Sequence, residues 1–143
     1  RPPEQIEVTE LMENALGVPI MEAHLSRDMI LVLQTEKDVY EAVPDLDIVS
    51  KIPGCVNLII TAQGREADFV SRYFTPGISI PEDPVTGSAH SSLIPFWAKR
   101  LGKEKLTAHQ LSKRGGILYC QDKGDRVKIS GNAILYLAGE IYL

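Results

Sequence analysis

Cysteine is almost absent: Cys55 and Cys120 stand far apart, with no C-x-x-C spacing and no histidine pair beside either. The common zinc-ligand patterns and a disulfide framework are thereby excluded, and both residues are expected to be buried thiols. No apolar run approaches the roughly 18 residues of a membrane-spanning helix, and the N-terminus lacks the basic-then-apolar layout of a secretory signal. No membrane partner is expected, and a cytoplasmic location follows. Cations are in deficit too. With 15 Lys and Arg against 19 Asp and Glu, for a net charge of -4, the chain has no pull on phosphate backbones, and no basic stripe interleaved with aromatics offsets this. Nucleic acid is excluded as a partner. No internal repeat, low-complexity tract or shift of composition divides the chain. It opens Arg1-Pro2-Pro3-Glu4 without a methionine, which reads as the interior of a longer polypeptide or a processed end.

The remainder has an ordinary globular balance. Apolar residues make up 44% and charged residues 24% of 143 positions, enough chain for one core without staples. Thr9 is a fitting N-cap for a helix carrying Leu11, Met12, Ala15 and Leu16, with Gly17 closing it. Residues 20–25 and 29–33 read as strands about the polar turn Ser26-Arg27-Asp28. Pro44 and Pro53-Gly54 punctuate the next stretch of chain, so 36–43 and 46–52 are expected as two short outer helices. The runs 56–62 and 67–74, joined by Gln63-Gly64-Arg65-Glu66, predict a hairpin. Pro76, Gly77, Pro81 and Pro84 then make 75–87 a loop. A helix is expected over 88–101, closed by Gly102, with Lys99 and Arg100 in its last turn. Apolar groups on several of its faces require it to be enclosed. Beyond it, 106–112, 116–121, 126–130 and 133–143 read as strands.

The segment Glu82-Asp83-Pro84-Val85-Thr86-Gly87-Ser88-Ala89-His90 carries the chemistry. Pro84 stiffens the loop, and Gly87 leaves room for a ligand to reach main-chain N–H groups. Thr86 or Ser88 can cap the helix, but no Glu or Gln follows in the first turn to complete a capping box. The first amides are then open to an outside anion, which the partial positive charge of a helix start favours. Asp83 beside such a site needs a donor to pair with or a proton to handle. The plainer reading is that Asp83-Pro84 starts a turn and Ser88 caps a helix, and spacing alone favours it. His90 could donate to a ligand, although a lone histidine is more often structural; His24 and His109 have weaker claims. Glu82 is expected to be solvated, Arg72 and Arg114 to form internal ion pairs, and Phe96 and Trp97 to be core. Gly115-Gly116 reads as a turn or bulge, without the remainder of a phosphate-binding loop.

Several ordered segments go beyond physical pattern. They are Asp68-Phe69-Val70-Ser71-Arg72-Tyr73-Phe74-Thr75-Pro76, the loop 81–90, Trp97-Ala98-Lys99-Arg100-Leu101-Gly102, Gln110-Leu111-Ser112-Lys113-Arg114-Gly115-Gly116, Arg126-Val127-Lys128-Ile129-Ser130-Gly131 and Gly139-Glu140-Ile141. With a looser match at Pro44-Asp45 they resemble the C-terminal half of isomerases of the phenazine-biosynthesis (PhzF-like) family, and the resemblance covers most of the chain. It implies the diaminopimelate-epimerase-like fold. That is an α+β architecture in which each of two halves wraps a curled, mostly antiparallel, barrel-like sheet around a central helix, with the active site between them. Residues 1–143 would form a single C-terminal domain, one half of the fold, with the N-terminal half absent.

The resemblance also assigns roles. Asp83 would contact the reacting region and assist proton transfer, while Gly87 and Ser88 hold a substrate carboxylate with Thr86 and His90 beside them. The family's proton-transferring glutamate lies in the other half and has no counterpart here. Gly87-Ser88-Ala89 stands where thiol racemases of this fold place a cysteine, which disfavours two-thiol racemisation. The expected activity is cofactor-free, metal-free acid-base isomerisation of a small carboxylated substrate, lost without the N-terminal half. A small-anion binding or interaction domain without chemistry is the alternative. The face meant for the other half also leaves a homodimer open, with 139–143 exposed or exchanged onto another chain.

Overall fold

The computed structural model of the chain describes residues 3–141. Its elements are β1 (Glu4–Ile6), α1 (Glu10–Leu16), β2 (Ile20–Leu25), β3 (Met29–Leu33), α2 (Glu36–Glu41), α3 (Leu46–Val49), β4 (Leu58–Gln63), β5 (Phe69–Phe74), α4 (Gly87–Leu101), β6 (Lys105–Gln110), β7 (Gly116–Asp122) and β8 (Val127–Ser130). Local chemistry sets the ends of the helices. Thr9 accepts from the Met12 amide at the start of α1, and Gly17 closes it at φ 66°, a left-handed conformation that costs glycine little. Thr35 and Asp38 form a reciprocal capping box on α2, and Asp45 caps α3.

The eight strands form one sheet in the order of the chain, β1 through β8. β3–β4 and β5–β6 are parallel, and every other neighbouring pair is antiparallel. Each parallel pair needs a crossover: α2 and α3 supply the first, α4 the second. Because β4 and β5 run antiparallel, two crossovers of one hand must leave the sheet on opposite faces. Alternation along the strands matches that layout. Ile30, Ile59, Phe69 and Tyr73 pack toward Leu93, Ile94 and Trp97 of α4. Met29, Leu31, Leu58, Ile60 and Val70 pack on the other side with Met12, Leu16, Val39 and Val49 of α1 to α3.

Helix α4 runs through Pro95. A proline inside a helix costs about 3 kcal/mol or more. Full burial of Leu93, Ile94 and Trp97 beside it returns about 1.5–3 kcal/mol for each large apolar side chain, so packing outweighs the lost hydrogen bond. Trp97 also satisfies its indole N–H by donating to Thr61 Oγ1 at 3.0 Å, and its ring stacks 5.9 Å from Phe69.

The α+β class stands, with two corrections to its details. The sheet does not close into a barrel. β1 and β8 are its two edges, each only three or four residues long, and Ser91, Lys99 and Arg100 of α4 remain exposed instead of enclosed. The expected last strand is also unformed. Residues 133–141 belong to no strand among the described residues, and Ile134, Leu135, Tyr136, Leu137 and Ile141 are 80–98% exposed. Their apolar pattern suits a strand, but no sheet edge among the described residues receives them; residues 142 and 143 lie outside those described. Among smaller differences, Cys55 is half-buried and only Cys120 is buried, and burial pushes both thiols up to about 11. No helix among the described residues is long and apolar enough to cross a membrane.

Candidate active site

The loop ahead of α4 is held at several points before any ligand is considered. The Asp83 amide donates to the Tyr73 carbonyl at 3.0 Å, and the Ser112 hydroxyl donates to the Pro84 carbonyl at 2.7 Å. Gln110, 1% exposed on β6, does most of the fastening. Its Oε1 accepts the Thr86 N–H at 2.8 Å, and its Nε2 donates to the Asp83 carbonyl at 2.7 Å and to Thr86 Oγ1 at 3.1 Å. Thr86 in turn donates its hydroxyl to Asp83 Oδ2 at 2.6 Å.

This fastening leaves the helix start open. Thr86 is the N-cap residue, but its side chain, turned back to Asp83, caps nothing. The Gly87 and Ser88 amides have no hydrogen-bond partner among the described residues. Both residues are exposed, and a Cβ on Gly87 would meet nothing within 4 Å. Unpaired N–H groups at the start of a fifteen-residue helix present roughly half a positive charge. Asp83 is half-buried four residues before Gly87, with Oδ1 free of any partner among the described residues. A neutral donor fixed on one carboxylate oxygen orients the other oxygen to exchange a proton. Ser88 Oγ accepts from Arg27 Nη2 at 3.0 Å, which brings a cation from the β2–β3 turn.

Gly116 holds the loop from below. A Cβ there would lie 2.4 Å from Val85 Cγ2, so β7 and the loop touch only because the residue is glycine. Gly116→Ala is expected to destabilise the protein by about 1–3 kcal/mol by overpacking, with Val85→Ala restoring most of the loss in urea denaturation.

His90 is fully buried against Phe69, and its Nδ1–H donates to the Thr86 carbonyl at 2.8 Å while Nε2 has no partner among the described residues. Burial depresses its pKa below the ordinary 6.5, outweighing the Thr86 hydrogen bond. The unfolded chain therefore binds this proton at a pH where the native state does not, and stability falls as pH drops below about 6.5. His90→Gln should flatten the decline of thermal midpoint between pH 7 and pH 5.5.

Other candidates fall elsewhere. Glu82 is not solvated: it receives Arg72 Nε and Nη2 at 2.7 and 3.0 Å, because the Phe74–Glu82 bridge turns it back toward β5. Arg72 thus has its internal pair, whereas Arg114 is exposed with no ion pair among the described residues. His24 contacts Glu22 at 3.0 Å and the edge of Phe96, far along α4, and His109 is half-buried on β6. A groove of about 580 Å³ lies there too, lined by Gln5, Glu22, His24, Phe96, Lys99 and Arg100. At the α4 start, Gly87 and Ser88 are exposed. Sequence pattern alone does not mark Arg27 and Gln110 as site residues: Arg27 reads as turn chemistry, and Gln110 as one strand residue among several.

The fold is thus α+β with a mixed sheet, and its second crossover helix begins uncapped beside a fastened aspartate, an arrangement of N–H groups whose chemistry suits a small anion. The profile of the phenazine biosynthesis-like proteins (PhzC-PhzF) matches residues 4–139, and the chain belongs to that family. It is 46% identical over 99% of its length to an uncharacterized isomerase of Pseudomonas aeruginosa, covering 54% of that protein, and 42% identical to a second from the same organism with the same coverage. The crystal structure of a PhzF-family phenazine biosynthesis protein from Enterococcus faecalis superposes with a TM-score of 0.92 at 47% identity, over 100% of this chain and 55% of that one. The chain spans about half the length of the curated relatives it matches.

Proposed function

We propose that residues 1–143 form the C-terminal domain of a cofactor-free isomerase that moves a proton on a small carboxylated substrate. The observation that carries this reading is the uncapped start of α4 at Gly87 and Ser88, with Asp83 fastened beside it by Thr86. The substrate carboxylate sits on the Gly87 and Ser88 amides and the Ser88 hydroxyl. Asp83 assists the proton transfer, and Thr86 and His90 fix the loop through the Thr86 side chain and carbonyl. The principal base comes from an N-terminal half of similar size. Support for that second half is the matched share of the relatives, about half of each, and the exposed apolar tail at 133–141, which suits docking as a strand on another unit. Membership of a family that includes relatives named as uncharacterized isomerases supports the reaction class.

The open position of the α4 start on this chain favours a second reading, an anion-binding domain without chemistry or a homodimer completing the cleft. Gly87→Leu separates binding from folding, since nothing within 4 Å obstructs the new side chain and leucine suits a helix better than glycine by about 0.8 kcal/mol. Expected results are saturable binding of small carboxylates by the 143-residue chain, lost in Gly87→Leu without any fall in thermal midpoint. In heavy water, deuterium should enter the substrate only when the N-terminal half is present. Exchange by this chain alone, sedimenting as a monomer, would overturn the two-half proposal; binding without exchange by the two-half protein would favour the second reading.

A further inference from the structure

Asp28 is the most constrained charge near the α4 start. It is 3% exposed, in a turn between two strands where burial of a carboxylate is costly unless donors meet it. Three donors do so. Arg27 Nη2 lies 2.7 Å from Oδ2, and Asn57 Nδ2 and the Tyr73 hydroxyl lie 3.0 and 3.2 Å from Oδ1. The donors come from the turn itself, the segment before β4 and strand β5, so Asp28 is fixed from three directions. A pair needed only to tie down the β2–β3 turn would end there. This one reaches on: the same Arg27 nitrogen donates to Ser88 Oγ, across 61 residues of chain, while the Arg27 side chain remains 63% exposed.

We infer that Arg27 is the residue that selects for negative charge in the substrate, a guanidinium anchored by Asp28 and laid against Ser88 as the cationic wall of the α4 site. This rests on the reading of that helix start as a carboxylate site. The geometry has two effects. The contacts to Asp28 and Ser88 use Nη2, and a guanidinium has five N–H donors in a fixed fork suited to a carboxylate. The Ser88 oxygen accepts from Arg27, so its own hydrogen is left to donate to a ligand oxygen instead of turning to Arg27. Arg27 therefore both adds charge and orients the Ser88 hydroxyl.

The probes are propionate and its neutral, isosteric partner propionamide, titrated into the 143-residue chain while the Gly87 and Ser88 amides are followed by nitrogen-15 NMR. The native chain should bind propionate and discriminate strongly against propionamide. Arg27→Gln should weaken propionate about ten- to a hundredfold, the worth of a hydrogen bond to a charged group, and leave propionamide unchanged, so that the discrimination collapses. Arg27→Lys should recover part of it through charge alone. Because Arg27→Gln leaves Asp28 short of a donor, the double variant Arg27→Gln/Asp28→Asn removes both charges and should show the same loss of discrimination in a chain of near-native thermal midpoint. Equal propionate affinity in the native chain and the double variant, with both amides still responding, would overturn the role of Arg27 and leave the carboxylate site standing. Amides that ignore propionate in the native chain would instead sink the site itself.

Discussion

In a protein carrying both halves, Asp83→Asn is expected to lower kcat about a hundred- to ten-thousand-fold, the usual worth of a positioned acid-base group, with little change in KM. The substitution is chosen for what it preserves. Asparagine Oδ1 can accept the Thr86 hydroxyl as Asp83 Oδ2 does at 2.6 Å, and the Gln110 contacts to the Asp83 carbonyl and to Thr86 do not involve the carboxylate. Loop geometry and the Gly87 and Ser88 amides should stay in place, so substrate affinity persists while proton handling is lost. A fall in kcat and kcat/KM together, with KM steady, marks an interaction made in the transition state. Unchanged kcat would remove Asp83 from the chemistry and leave it as a turn residue.

The second large effect concerns stability. Arg72→Ala should cost about 3–5 kcal/mol in urea denaturation, as when one partner of a buried ion pair is removed. Arg72 is only 13% and Glu82 only 20% exposed at the side chain, and the pairing is two-pronged. Arg72 Nη1 also donates to the carbonyls of Val39, Tyr40 and Ala42 at the end of α2, and its guanidinium lies 4.8 Å from the Phe74 ring centre. Truncation strands a carboxylate and the frayed end of a helix at once. Arg72→Lys should restore little, since an ammonium cannot span both Glu82 oxygens and the three carbonyls. In a double-mutant cycle with Glu82→Ala the paired loss should be well below the sum of the single losses. Since Glu82 precedes Asp83, the single variant should also disturb the site.

Where a few adjacent residues decide the outcome, the sequence is legible. The caps at Thr9 and Gly17 and the strands Ile20–Leu25 and Met29–Leu33 lie where local rules put them, and the helix over 88–101 starts one residue earlier than expected. The features that escape are set by partners remote in the chain. β1 is three residues inside a proline-rich lead and exists by pairing with β2. The parallel alignment of β5 with β6 leaves no mark in either strand, because both parallel and antiparallel ladders show period 2 to the eye. Glu82 reads as solvated because nothing adjacent reveals that Arg72, ten residues earlier on β5, faces it. The run 133–143 has the composition of a strand and no edge among the described residues to receive it. At the site, Thr86, Gly87 and Ser88 are visible as types of residue. That Gln110 holds the Thr86 amide, leaving Thr86 free to hold Asp83, depends on a contact across 24 residues.

The sheet order β1 to β8 bears on how the chain reaches this structure. Every strand lies against the one made just before it, and each antiparallel association closes a short loop at a small entropic cost. A ribosome releasing the chain from its N-terminus would let the ladder grow one rung at a time, with no early strand left waiting for a late partner. Arrangements dominated by local pairings fold faster than those that must first bring distant strands together. Only the two crossovers, one through α2 and α3 and one through α4, interrupt that progression, and they set its slowest steps.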